Sequence, residues 1–99
     1  MCGITGVFDA DATPDTTAVA AMTSALSHRG PDDEGTYTDG PVSIGHKRLS
    51  IIDPESGRQP IFNEGGSVCV VFNGEIYNYP SLRSALNSSG HSFSTEADT

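Results

Sequence analysis

Residues 1–8 read MCGITGVF, and the whole reading of the chain turns on them. Ile4, Val7 and Phe8 with interleaved Gly3, Thr5 and Gly6 predict a buried strand over residues 2–8 that passes close to another group, since β-branched and aromatic residues favour the pleat and glycine admits close approach. Cys2 then stands at a strand end. Removal of Met1 is compatible with a residue as small as Cys2, and it would leave a thiol and a free α-amine on one residue. The first is a nucleophile and the second a base, and both titrate near enough to neutrality to exchange a proton. A cysteine behind an initiator methionine carries little weight alone; the rest of the chain supplies the weight.

Outward from this strand, Thr13 as N-cap, Pro14 at the first helical position and Asp15 in the first turn predict a helix. Val19, Met22 and Leu26 fall on one face, with Met22 as core packing. Gly30 and Pro31 close the helical region, and shorter strands are expected around residues 36–37 and 42–46. Residues 54–60, PESGRQP, read as a surface loop, and Ile61 and Phe62 as a short strand. Residues 67–72, SVCVVF, are the strongest strand signal, with Cys69 as a buried core residue rather than half of a disulfide. Asn73 and Gly74 form a pair common in tight hairpins. Here a helix signal follows instead, with Pro80 near the first turn, Leu82 and Leu86 one turn apart and Gly90 as the stop. A strand, a loop holding Asn73, Gly74 and Glu75, then a helix is the expected order, and the overall class is α+β.

The 99 residues allow one domain, and a chain of this size buries only about 65% of its extended surface. Thirteen acidic residues against five basic ones give a net charge of −8, with Lys47 the only lysine, which argues against a nucleic-acid or anionic-membrane surface. An acidic skin rich in Asp, Ser, Thr and Ala fits a salt-rich cytoplasm. No apolar run approaches the ~20 residues of a membrane span, and no secretory start is present, so a soluble cytoplasmic protein is expected.

Three further blocks follow the opening: SHRGPDDEG at 27–35, GHKRLSIID at 45–53 and NGEIYNY at 73–79. In this order and spacing the chain resembles the N-terminal glutaminase domain of glutamine-hydrolysing asparagine synthetases, a class II glutamine amidotransferase of the N-terminal nucleophile hydrolase type. The resemblance covers nearly all of the chain. It implies an αββα sandwich, of which residues 1–99 would form only the first part. It further implies that the rest of this domain and an ATP- and Mg-using synthetase domain lie elsewhere, in cis or in trans.

The residue types suit hydrolysis of a free amino-acid amide. A thiolate attacks the side-chain carbonyl, an oxyanion develops, ammonia leaves, and water releases glutamate from the thioester. An Asn amide and a Gly N–H at a strand end can face that oxyanion, and the resemblance assigns these roles to Asn73 and Gly74, with Cys2 as nucleophile. Glutamine also needs a cation for its α-carboxylate. Arg48, in an otherwise apolar segment, can fork onto a carboxylate; its position equally suits a strand-edge arginine paired to a surface acid, and the resemblance selects the first. Glu75 and Asp98, the latter within TEADT at 95–99, match the family positions that receive the α-ammonium. Arg29, Gly30, Pro31 and Asp32 are assigned to loop architecture near the site. His28, His46 and His91 fit no Cys/His zinc spacing, and no metal or cofactor is expected in this segment. Glutamine is the expected small-molecule partner, and a homo-oligomer is compatible with the chain. The alternative is a non-catalytic remnant or glutamine-binding module.

Overall fold

The computed structural model describes residues 1–49 and 57–99. The last four residues of the GHKRLSIID block, 50–53, and the first three of the loop expected over residues 54–60 lie outside the described residues. Among the described residues five strands and two helices follow in the order β1 (Gly3–Phe8), α1 (Thr16–Ala25), β2 (Asp33–Asp39), β3 (Val42–Arg48), β4 (Ile61–Phe62), β5 (Cys69–Val70) and α2 (Tyr79–Ser88). Strands β1, β3 and β2 form an antiparallel sheet in that order, and β4 pairs with β5 in a second antiparallel sheet. The α+β expectation therefore holds as two helices with antiparallel sheets.

A two-residue connection, Gly40 and Pro41, joins β2 to β3, and Gly40 has φ 52°, the positive value that the first position of such a hairpin favours. β3 is thus the central strand, and side-chain alternation along it divides the molecule. Gly45, in register with Thr5 on β1 and Thr36 on β2, faces α1. A Cβ at Gly45 would collide with the hydroxyls of Thr23 and Thr5. Thr23 donates to the Val19 carbonyl at 2.8 Å and pairs with Thr5 Oγ1 at 2.8 Å, so Thr5 is the donor in that pair. On the opposite face His46 and Arg48 point toward β4, β5 and the cleft described below.

Four local expectations are corrected. Strand β1 is not buried on both faces: as an edge strand it turns Gly3 and Thr5 toward α1 and leaves Ile4 51% and Phe8 70% exposed. Helix α1 begins later than expected, with Asp15 as N-cap, because its carboxylate accepts from the N–H groups of Thr17 and Ala18. The buried stripe of α1 is Val19 and Thr23, four residues apart, and the Thr5 contact that draws Thr23 inward rotates Met22 outward to 42% exposure. The strand expected over 67–72 shrinks to Cys69–Val70. Its flanking N–H groups go to side chains instead of a ladder: Ser67 and Val68 donate to Asn63 Oδ1, and Phe72 donates to Gln59 Oε1. Cys69 is accordingly half-buried, and that burial pushes its thiol pKa up. Both cysteines are free thiols.

Helix α2 begins as the sequence predicts, with Pro80 in its first turn and Gly90 at φ 94° just beyond its end. None of its residues is buried, and Leu82 and Leu86 remain 45% and 41% exposed. Among the described residues no helix is long and apolar enough to cross a membrane.

Candidate functional site

A cleft of about 560 Å³ opens between the C-terminal end of β3, the segment from Phe72 to Tyr77 and the last residues of the chain. Cys2, Arg48, Asn73, Gly74, Glu75 and Asp98 all line it. Residues from four separated parts of the chain are thereby brought to one place.

Cys2 comes to the cleft because β1 runs antiparallel to β3, with Gly3 opposite Lys47. Beyond that pair, the N–H of Leu49, two residues past Lys47, points at Cys2 Sγ at 3.4 Å, and the thiol lies 3.9 Å from the Leu49 carbonyl. Met1 lines the same cleft and is 74% exposed, so its removal would both free the Cys2 amine and widen the mouth.

Arg29 reaches across from the loop after α1, and its Nε donates to the Cys2 carbonyl at 3.1 Å. The same loop braces Arg48. The Asp32 N–H donates to the Arg48 carbonyl at 3.0 Å, and a Cβ on Gly30 would stand 2.5 Å from the Lys47 carbonyl carbon and 2.6 Å from Arg48 N. Only glycine lets the two backbones come so close. Arg29, Gly30 and Asp32, expected as loop architecture near the site, thus touch the backbone of both the cysteine and the arginine.

Arg48 is 7% exposed. Gly57, with φ 78°, lies against its guanidinium: a Cβ there would be 3.3 Å from Arg48 Nη2 and 3.0 Å from the Ala97 Cβ. A buried guanidinium lining a cleft can offer a carboxylate two parallel N–H groups. Asp98 is held from the other side, its Oδ2 accepting from the Ile76 N–H at 2.7 Å. The tail that carries it is tied to α2 by Arg83, which donates to the Thr95 carbonyl at 2.7 Å, pairs with Glu96 at 3.0 Å and lies 4.7 Å over the Phe93 ring. An aspartate near the chain end is thus fixed against the cleft rather than solvated. Glu75 is exposed on the cleft rim.

The three histidines lie apart. His28 caps the end of α1 on the Ala25 carbonyl, His91 pairs with Glu64, and His46 is buried beside Phe72. Burial, and secondarily the neighbouring Arg48 charge, holds the His46 pKa below its ordinary 6.5. Among the described residues no group of three or more His, Cys, Asp or Glu side chains is placed to hold a metal ion.

Sequence reasoning gave Arg29, on the Cys2 carbonyl, only a general place in the loop architecture, and left His46 and Gln59, on the Phe72 backbone, without a role. For Arg29 the signal was present in the SHRGPDDEG block; for Gln59, 13 residues from its partner, there was none.

A family model described as a glutamine amidotransferase domain matches residues 1–99. The chain is 43% identical over 103 residues to asparagine synthetase [glutamine-hydrolyzing] 1 of Bacillus subtilis, covering 100% of this chain and 16% of the relative. It is 45% identical over 100 residues to asparagine synthetase [glutamine-hydrolyzing] of Brassica oleracea, covering 99% of this chain and 17% of that one. The corresponding figures for asparagine synthetase [glutamine-hydrolyzing] 1 of Arabidopsis thaliana are 43%, 99% and 17%. The chain spans 16% to 17% of the length of these curated relatives.

Proposed function

This chain belongs to the glutamine amidotransferase domain family, and from that premise we propose that it hydrolyses the side-chain amide of glutamine to glutamate and ammonia, with Cys2 as nucleophile. One observation carries the proposal: the nucleophile, the two oxyanion donors and the three charged residues suited to a free amino acid line one cleft.

In the proposed reaction Met1 is first removed. The Cys2 amine takes the thiol proton, and the thiolate forms a bond to the amide carbon. The Asn73 side-chain amide and the Gly74 N–H donate to the oxygen on which negative charge develops. The amine returns its proton to the departing nitrogen, ammonia leaves, and a thioester remains. Water attacks the thioester carbon, the thiol regains a proton, and glutamate is released. Arg48 receives the α-carboxylate as a bidentate ion pair, while Glu75 and Asp98 receive the α-ammonium.

The antiparallel sheets, the helix on one face and the cysteine at the start of the first strand support an N-terminal nucleophile hydrolase sandwich, with residues 1–99 contributing its first part. The relatives' printed names, glutamine-hydrolyzing asparagine synthetases, support asparagine synthesis as the destination of the ammonia; we further propose that an ATP- and Mg-dependent synthetase unit, in cis or in trans, uses it to make asparagine from aspartate in the cytoplasm.

The test is carried out on the full encoded protein. Cys2→Ala is expected to abolish ammonia release from glutamine and labelling by glutamine-like electrophiles, while asparagine synthesis from free ammonia persists. Blocking Met1 removal should reproduce the Cys2→Ala result. Ammonia release from glutamine by the Cys2→Ala protein would sink the assignment.

A further inference from the structure

We propose that His46 and Gln59 are positioning residues, holding the backbone N–H and carbonyl of Phe72 and thereby setting where the Asn73 amide and the Gly74 N–H stand in the cleft. The inference rests on the functional reading above and assigns roles to two residues outside its reacting groups.

Phe72 is the last residue before the loop, and the β4–β5 ladder ends two residues earlier at Val70. Its backbone N–H and carbonyl therefore need partners from elsewhere. Gln59 Oε1 accepts from the Phe72 N–H at 2.6 Å, and His46 Nε2 lies 3.2 Å from the Phe72 carbonyl. A carbonyl can only accept, so the ring carries its proton on Nε2 in this contact.

Both partners sit on firm ground. His46 is 1% exposed on the central strand β3. Its register partner on β2 is Gly35, and the space that a side chain at Gly35 would fill is taken by the Gln59 carbonyl and Pro60. The last glycine of the SHRGPDDEG block thus lets Gln59 dock beside His46, and the two side chains converge on the backbone of one residue.

Beyond Phe72, Asn73, Gly74 and Glu75 are exposed, and the next backbone anchor is the Ile76 N–H on Asp98 at 2.7 Å. Three exposed residues are therefore slung between two anchors, and the first two are the proposed oxyanion donors. Such donors act only when held within about 0.5 Å of the productive position, and a displacement of about 1 Å can cost on the order of 10²-fold in rate. An oxyanion donor acts chiefly once charge has developed, so loosening the Phe72 grip should fall on the chemical step and spare glutamine binding.

The experiment uses the full encoded protein with four variants, reading glutaminase kinetics and amide hydrogen exchange over residues 72–75. Gln59→Leu removes the acceptor. It is expected to lower kcat by about 10- to 100-fold, with KM within about twofold of wild type, and to speed exchange over the loop. Gln59→Glu keeps an acceptor oxygen and should recover most of both. His46→Gln, which keeps a donor at shorter reach, should show a milder version of the same split; if it does not fold, the Gln59 pair decides. The proposal is overturned if Gln59→Leu leaves kcat and exchange unchanged, if it raises KM alone, or if Gln59→Glu is as impaired as Gln59→Leu in both readouts. Failure of the functional reading is separately visible, as glutamine hydrolysis that survives Cys2→Ala, and the exchange comparison judges the grip regardless of turnover.

Discussion

Arg48 and Asn73 line the same cleft, yet they should answer to different moments of the reaction. In the proposed reaction Arg48→Ala strands the substrate carboxylate from the first encounter, so KM for glutamine should rise by about 30-fold to several thousandfold, the equivalent of about 2 to 5 kcal/mol. Asn73→Ala should lower kcat by about 10² to 10³ with little change in KM, because its amide matters most once negative charge has developed. Steady-state kinetics of the two variants separates them, and unchanged glutamine affinity in Arg48→Ala would remove that residue from the site. Gly30 matters at the same scale for a purely steric reason. Its missing Cβ would stand 2.5 Å from the Lys47 carbonyl carbon, where neither backbone can give way cheaply. Gly30→Ala should destabilise the fold by about 1 to 3 kcal/mol in urea unfolding, the usual cost of overpacking, and should weaken glutamine binding by displacing Arg48.

Among the elements, β3 carries the most consequence, because its alternation sends Gly45 to the helix and His46 and Arg48 to the cleft side. A histidine buried there links stability to pH. Its folded pKa lies below the ordinary 6.5, chiefly through burial and then through Arg48, while the Phe72 carbonyl and Asp33 act in the opposite direction. Below about pH 6.5 the unfolded chain binds a proton that the folded one resists, so the stability contributed by neutral His46 is present above that value. It is lost as pH falls through the lowered folded pKa. Urea unfolding at pH 7.5 and pH 5 should therefore show a drop for wild type that is smaller in His46→Gln; equal drops in the two would exclude this histidine as the cause. Helix α1 offers a simpler case: Asp15→Ala removes the acceptor for two N–H groups and should cost about 1 kcal/mol, with glutaminase activity unaltered.

At the scale of the whole molecule, apolar burial is sparse. Among the described residues Val19 is the only fully buried apolar side chain, while Phe8 and Tyr77 are 70% and 89% exposed. Exposed apolar side chains and an edge strand invite self-association, so residues 1–99 prepared alone should bind apolar dyes or aggregate. A monomeric species with a sharp unfolding transition would contradict this. A net charge of −8 on so small a body adds repulsion that is felt over about 30 Å at 0.01 M salt and about 3 Å at 1 M. Thermal unfolding of the longest soluble form should therefore shift upward in molar salt, and an unchanged or lower midpoint would exclude charge repulsion as a main weakness.

What could be read from residues alone was whatever depends on local chemistry. Cys2 at a strand start, the Asn73 and Gly74 loop before a helix and the Pro80 and Gly90 limits of that helix follow from residue type and spacing, whereas the roles expected of Asn73, Gly74, Arg48, Glu75 and Asp98 came from the resemblance. The family followed from four blocks in one order. Tertiary structure decided what depends on contacts between distant segments. It turned Thr23 inward and Met22 outward through a hydroxyl pair with β1, and it shortened β5 because the carbonyl oxygens of the Asn63 and Gln59 side chains took the N–H groups flanking it. It also brought Asp98 to the cleft through the Ile76 N–H, and it set Arg29, His46 and Gln59 on the backbone of the residues around the site. Local sequence limits which conformations a segment can adopt, but which donor meets which acceptor across 13 to 27 residues is settled only when the sheet has formed and the chain has folded back upon it.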